Sequence, residues 1–311
     1  MVNKAMLSGS LRTTLTAPSY TSDATLPTSI TKAASKQTYY TIRYLVDKQR
    51  TLNAYRAYAY FRWVDDWLDD QLSDPADRQA FVERQQALID CAYRGDRMCA
   101  RTAEEQMLID LVRSEEQTHT GLKLYIEHMM AVMAFDANRR GRHVTGAQLE
   151  AYTLDLATAV TEAMHYYIGH EGYSPRGETR YLAVIAAHIT HMLRDTCEDV
   201  AAGYYNIPVE YLEEHHITPW DIDTPAYRAW VKSRVELARA YFREGKRYLA
   251  QVESLRCRAA GYAYTARFET ILDIIEREGY LLRAAYPERK SLRAGLRMGW
   301  STLALCLLGA A

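Results

Sequence analysis

No CxxC pair occurs in this chain of 311 residues, and its five cysteines (Cys91, Cys99, Cys197, Cys257 and Cys306) are scattered and odd in number. That usage excludes a structural zinc cluster and predicts free thiols in a reduced, cytoplasmic setting. Charge excess is also missing. Thirty-eight basic residues stand against 39 acidic ones, a net charge of −1, so nothing points to nucleic acid as a partner. No glycine-rich fingerprint follows a strand, which excludes a Rossmann-type nicotinamide site. The apolar stretch "MGWSTLALCLLGAA" at 298–311 has 14 residues, short for a membrane span. It reads either as a last core helix or as a helix resting on a bilayer, which leaves peripheral membrane contact open. Phenylalanine is scarce (5) while tyrosine is plentiful (24). Tyrosine has an apolar body and a polar tip, which suits a cavity wall as well as ordinary packing.

What is present is helical period almost throughout, rich in Ala, Leu, Glu, Arg and Tyr. Helices are expected at roughly 35–46, 48–70, 76–93, 101–114, 118–140, 146–169, 179–201, 225–252, 255–278 and 291–308. The Ser/Thr-rich residues 1–30 are expected to form a flexible arm, too poor in arginine for a transit peptide. No linker separates domains. The expectation is one all-α domain over 31–311.

Residues 57–70, "AYAYFRWVDDWLDD", run an aromatic helix into four carboxylates. Asp65 and Asp69 share a face, with Tyr58 and Arg62 on the same stripe. A second stretch, "HITHMLRDTCED" at 188–199, repeats the spacing. His188, His191, Asp195 and Asp199 lie on one stripe, with Glu198 beside them. One acidic pair could be a solvated helix end. Two pairs on separate, mostly apolar helices would be costly unless something offsets their charge. Mg²⁺, or Mn²⁺, bound by Asp65, Asp69, Asp195, Glu198 and Asp199 and clamping a diphosphate would offset it and supply chemistry. The two histidines leave three roles open: hydrogen-bonding groups, an acid/base pair, or transition-metal ligands.

At these residues the chain resembles the squalene/phytoene synthase family over roughly 30–295. "SKQTYY" resembles the family's opening Ser-Lys and aromatic motif, which implies that Ser35, Lys36 and Tyr39 bind substrate. Tyr58, Arg62, Asp65 and Asp69 match the first aspartate motif; Arg194, Asp195, Glu198 and Asp199 match the second. Asp136 resembles a mid-chain family aspartate. "YTLDLATAVTE" resembles a family helix and implies substrate-lining roles for Tyr152, Ala157, Val160 and Glu162. The resemblance implies an isoprenoid-synthase helical bundle around a central apolar pocket. It also implies a Mg²⁺-dependent prenyltransferase joining two prenyl diphosphates (farnesyl or geranylgeranyl) head to head into a squalene-, dehydrosqualene- or phytoene-type product. Several positions depart from the family pattern. His188 and His191 stand for amides, Thr158 and Thr161 for glycines, and Tyr204 and Asn206 for a basic residue and a tyrosine. The diphosphate-ionising face is therefore expected intact and the pocket reshaped, with a product formed without NADPH. A class I terpene cyclase acting on one prenyl diphosphate, or a non-catalytic family member, are the alternatives.

Overall fold

The computed structural model describes residues 24–96, 99–115, 121–169 and 173–287. Among them every regular element is helical: α1 (Thr25–Ala34), α2 (Lys36–Leu45), α3 (Thr51–Asp66), α4 (Pro75–Arg94), α5 (Ala103–Arg113), α6 (Gly121–Arg139), α7 (Gly146–Ile168), α8 (Leu182–Ala202), α9 (Val209–His215), α10 (Pro225–Ala250) and α11 (Leu255–Arg277). The expected all-α bundle is what the chain forms. Short polar signals start the helices. Asp74 caps α4 with Pro75 in its first turn, Thr145 and Gln148 close a capping box on α7, and Thr224 and Ser254 cap α10 and α11. Gly95 and Gly203, at φ 83° and 88°, end α4 and α8 in the left-handed conformation that favours glycine.

Two apolar clusters support the site. One joins α3 to α7 around Tyr60, Leu108, Leu122 and Ile126. The other joins α8, α10 and α11 around Val231, Val235, Phe242 and Leu272. Helix α7 bridges them, packing on α6 and on α8. At the crossing of α10 with α8, a Cβ on Gly245 would lie 2.6 Å from the Ala183 nitrogen. Only glycine lets the backbones approach that closely.

Four expectations are corrected. Part of the supposed arm is α1, which packs on α3 with Pro27 and Thr31 buried; Pro27 falls in its first turns, where a missing N–H does no harm. The segment expected as one helix over 48–70 is three pieces: a 3₁₀ turn (Lys48–Arg50), α3, and a π turn (Trp67–Gln71). The stretch between the helices expected at 179–201 and 225–252 contains a further helix, α9. Cys91 and Cys99, expected as free thiols, are paired as a disulfide, because the turn at Gly95 folds the chain after α4 back on itself. Among the described residues, no helix is long and apolar enough to cross a membrane. The expectations for residues 1–23 and for the helix at 291–308 lie outside the described residues.

Candidate active site

A cavity of about 430 Å³ opens between α3, α6, α7 and α8. It gathers Asp65 and Arg62 from α3, Asp136 and Arg139 from α6, Tyr152 from α7, and His188, His191, Asp195 and Asp199 from α8. Tyr58, Tyr125, Met129 and Leu156 line this cavity and also a second, mostly apolar one of about 400 Å³. A charged chamber is thereby joined to a greasy one. The α7 residues on the apolar wall are Leu156, Val160, Ala163, Met164, Tyr167 and Ile168, one stripe at helical spacing.

The carboxylates are poised for a cation. Burial, then the neighbouring Asp69 charge, pushes Asp65 up to about 7 against the pull of Arg62. Burial, then Asp195, pushes Asp199 up to about 7. Burial likewise raises Asp136, although Arg139 opposes it. Asp195 goes the other way: burial opposes ionisation, but hydrogen bonds from Arg194 and His191 hold it well below the usual carboxylate range. Among the described residues, no three of these carboxylates bring ligand atoms within 4.8 Å of one another; the one such group of side chains is Cys91, Asp96 and Cys99. Carboxylates of this kind suit a cation whose coordination is completed by phosphate oxygens and water, as Mg²⁺ prefers. The donor set is all oxygen and fits Mg²⁺ or Mn²⁺.

Not every expected residue reaches the chamber. Asp69 sits on the π turn and accepts from the Tyr204 hydroxyl at 2.9 Å, at the margin of the site. Glu198 is exposed and lines neither cavity. Arg194 is buried and spent on Asp195 at 2.6 Å; Arg62 pairs with Asp65 at 2.9 Å and also with Asp66. Ser35, Lys36 and Tyr39 line neither cavity. Ser35 caps α2, Lys36 is exposed, and Tyr39 stacks on Tyr55. Helix α2 presents Gln37, Thr38 and Thr41 to the apolar chamber instead. Ala157 is fully buried away from both chambers. Glu162 makes a buried two-point pair with Arg180 at 2.6 and 2.9 Å and also accepts from Tyr181 at 3.1 Å, so its carboxylate is structural. Thr158 and Thr161 are buried and also line neither chamber, so the expected reshaping of the pocket by their bulk is not direct.

His188 is 5% exposed, and its ring meets Tyr152 edge-on at 5.0 Å. Its Nδ1 is buried and finds no hydrogen-bond partner among the described residues. Burial, then His191, Arg139 and Arg234, pushes it down to about 3, so this imidazole is neutral at working pH. His191 instead pairs through Nε2 with Asp195 at 2.9 Å. Arg139 was missed in the sequence, although its place three residues after Asp136 was a usable signal.

A family profile described as squalene/phytoene synthase matches residues 31–295. The chain is 28% identical over 262 residues to a phytoene synthase of Thermus thermophilus, covering 79% of this chain and 81% of that one. It is 26% identical over 247 residues to a chloroplastic phytoene synthase of Daucus carota, covering 76% and 56%. It is 32% identical over 129 residues to a 15-cis-phytoene synthase of Synechocystis, covering 39% and 37%. The chain thus spans about a third to a half of the length of the last two relatives. Among solved structures it is similar to a squalene synthase, HpnC, of Alicyclobacillus acidocaldarius (TM-score 0.65, 21% identity, covering 84% and 95%). It is also similar to a dehydrosqualene synthase in complex with ligand (TM-score 0.68, 17% identity, covering 92% and 97%).

Proposed function

The chain belongs to the squalene/phytoene synthase family, and on that premise we propose that it is a Mg²⁺-dependent prenyltransferase that joins two prenyl diphosphates head to head and ends the reaction by proton loss, without NADPH. The observation that carries this reading is the junction of the two chambers at Tyr58, Tyr125, Met129 and Leu156. A prenyl diphosphate has the same two halves: a polyanionic head for the acidic chamber and an apolar tail for the other.

Asp65, Asp69, Asp195 and Asp199 would hold the cations, which supply charge neutralisation for the departing diphosphate. The protein's own part begins with Arg62, which lies beside the acidic face and adds fixed positive charge. The apolar walls would exclude water, so an allylic cation formed at the junction would meet a prenyl double bond before water. Tyr58, Phe61 and Tyr125 line the charged chamber, and aromatic rings there would favour a cation. Neutral His188 and the hydroxyl of Tyr152 form its polar wall. Tyr204 and Asn206 are engaged with Asp69 and Asp199, which supports a reaction that recruits no nicotinamide at those positions. Membrane contact, if the product leaves into lipid, would be peripheral.

The test is incubation with Mg²⁺ and farnesyl or geranylgeranyl diphosphate, with and without NADPH, measuring pyrophosphate and product mass separately. A hydrocarbon of twice the substrate's carbon number is expected without NADPH. Asp65→Asn and Asp195→Asn should each lower pyrophosphate release at least about 100-fold, the scale for losing one preorganised charge-stabilising group. Undiminished release in both variants overturns the catalytic reading; a yield that depends strictly on NADPH overturns proton loss; a cyclised product of unchanged carbon number shows a one-substrate cyclase.

A further inference from the structure

Carboxylates of α6 and α8 line the polar chamber and Asp69 of the π turn after α3 lies at its margin; they come from distant parts of the chain and repel one another. One guanidinium reaches all of them. Arg139, at the end of α6 and 8% exposed, donates from Nε to Asp136 Oδ1 at 2.6 Å and from Nη1 to Asn206 Oδ1 at 2.7 Å. Asn206 then donates from Nδ2 to Asp199 Oδ2 at 2.7 Å. The guanidinium carbon also lies 4.8 Å from the Tyr152 ring centre and 5.0 Å from that of Tyr204. Tyr152 donates its hydroxyl to Asp136 at 3.1 Å, and Tyr204 donates to Asp69 at 2.9 Å. Directly or through one neighbour, Arg139 touches the carboxylates of α6, of α8 and of the π turn after α3.

We propose that Arg139, acting through Asn206 and Tyr204, is a positioning residue that fixes the two aspartate pairs at the separation needed to take cations and a diphosphate between them. The proposal rests on the diphosphate reading above. It uses two positions, 204 and 206, at which this chain departs from the family pattern. Side-chain chemistry explains the choice of residues. A guanidinium is a planar fork that can serve two acceptors and stack between rings at once, whereas an ammonium is a point charge that can do neither well. An amide is the group that can accept from arginine with one atom and donate to a carboxylate with the other. A carboxylate at 206 would repel Asp199, and an aliphatic residue would take away the partner of Arg139 Nη1 and of Asp199 Oδ2. The arrangement also keeps Asp199 oriented before any cation arrives, so less ordering is left for the binding step.

The test uses the full chain with Mn²⁺ and inorganic pyrophosphate as probes, reading bound Mn²⁺ by electron paramagnetic resonance and folding by circular dichroism. Arg139→Lys and Asn206→Ala are each expected to weaken Mn²⁺ binding about tenfold, the scale of one hydrogen bond to a charged group, with the helical spectrum retained. Because they act through one chain of contacts, the double variant should be about as weak as the poorer single variant rather than about a hundredfold down. Independent, multiplying effects overturn the proposal, and so does unchanged Mn²⁺ affinity in folded Asn206→Ala. Loss of metal-free pyrophosphate binding in Arg139→Lys but not in Asn206→Ala also overturns it, since Arg139 would then be a direct anion ligand. Asn206→Asp gives a second reading: the repelled Asp199 should weaken Mn²⁺ binding although a charge has been added to the site. Normal Mn²⁺ and pyrophosphate behaviour in a wild-type protein that turns over no prenyl diphosphate would remove the proposed function while leaving this inference standing.

Discussion

Replacing Asp199 with asparagine should stabilise the metal-free protein. Its carboxyl is lifted from the usual 3.8 up to about 7 by burial and by Asp195, so ionising it in the fold is unfavourable. The sign follows from proton counting. Below pH 4 both folded and unfolded chains hold the proton, and the group has no effect. Between pH 4 and 7 the unfolded chain releases it first, so stability falls as pH rises; above pH 7 the penalty is constant. At about 1.4 kcal/mol per pKa unit, its ceiling is about 4 kcal/mol. Asp195 shares that charge repulsion and Asn206 offsets part of it, so about 1–2 kcal/mol is the expected net gain, or roughly 2–5 °C in melting temperature for a domain of this size. The assay is thermal melting of wild type and Asp199→Asn from pH 4 to 8.5, in chelator and then in excess Mg²⁺. The variant should melt higher at pH 8, the gap should close toward pH 4, and Mg²⁺ should raise only the wild type appreciably. A variant that is less stable at pH 8, or a gap independent of pH, refutes the account of a crowded acidic chamber awaiting a cation.

Glu162→Gln breaks the buried pair with Arg180 and should cost about 3–5 kcal/mol, lowering the melting temperature by roughly 5–10 °C while the folded enzyme keeps its KM; a raised KM at an unchanged melting temperature would return Glu162 to the substrate. Because its folded pKa is depressed by Arg180 against the pull of burial, that stability is present above about pH 4.5 and lost as pH falls further. His188→Leu should alter the ratio of products with pyrophosphate release largely intact. In the wild type this ratio should be flat from pH 5 to 9, since burial holds His188 neutral with a pKa of about 3; a transition near pH 6.5 that disappears in the variant would show that His188 titrates in the working enzyme.

Most of the described helices, and the places of Asp65, Asp195 and Asp199 on them, were legible because they rest on local signals: helical period, capping residues and a four-residue spacing. What was missed depends on partners far away in sequence. Pro27 lies in the stretch expected as a flexible arm, yet it sits in the early part of α1, whose reason to fold is the face of α3. The π turn at Trp67–Gln71 has no local signature, and it places Asp69 under Tyr204, 135 residues away. Glu162 fitted the matched motif but belongs to Arg180, which reaches it from the turn before α8. Ser35 fitted too, but its oxygen serves the start of α2. A motif match places a residue on a helix; only packing decides which side of the helix faces the chamber.

That distinction also sorts the positions where this chain departs from the family. Thr158 and Thr161 face the packed side of α7, whose chamber-facing stripe runs through Tyr152, Leu156 and Val160. The apolar wall therefore keeps its own composition whatever those threonines do to helix packing. His188, His191, Tyr204 and Asn206 all sit at or beside the polar chamber, and three of them hold an aspartate: His191 holds Asp195, Tyr204 holds Asp69, Asn206 holds Asp199. The changes thus fall where the charged head would be gripped rather than where the tail would lie. Tail length should then be governed by the α2 and α7 wall, and the fate of the cation by the polar end. Substitutions confined to one end should move one property and leave the other in place.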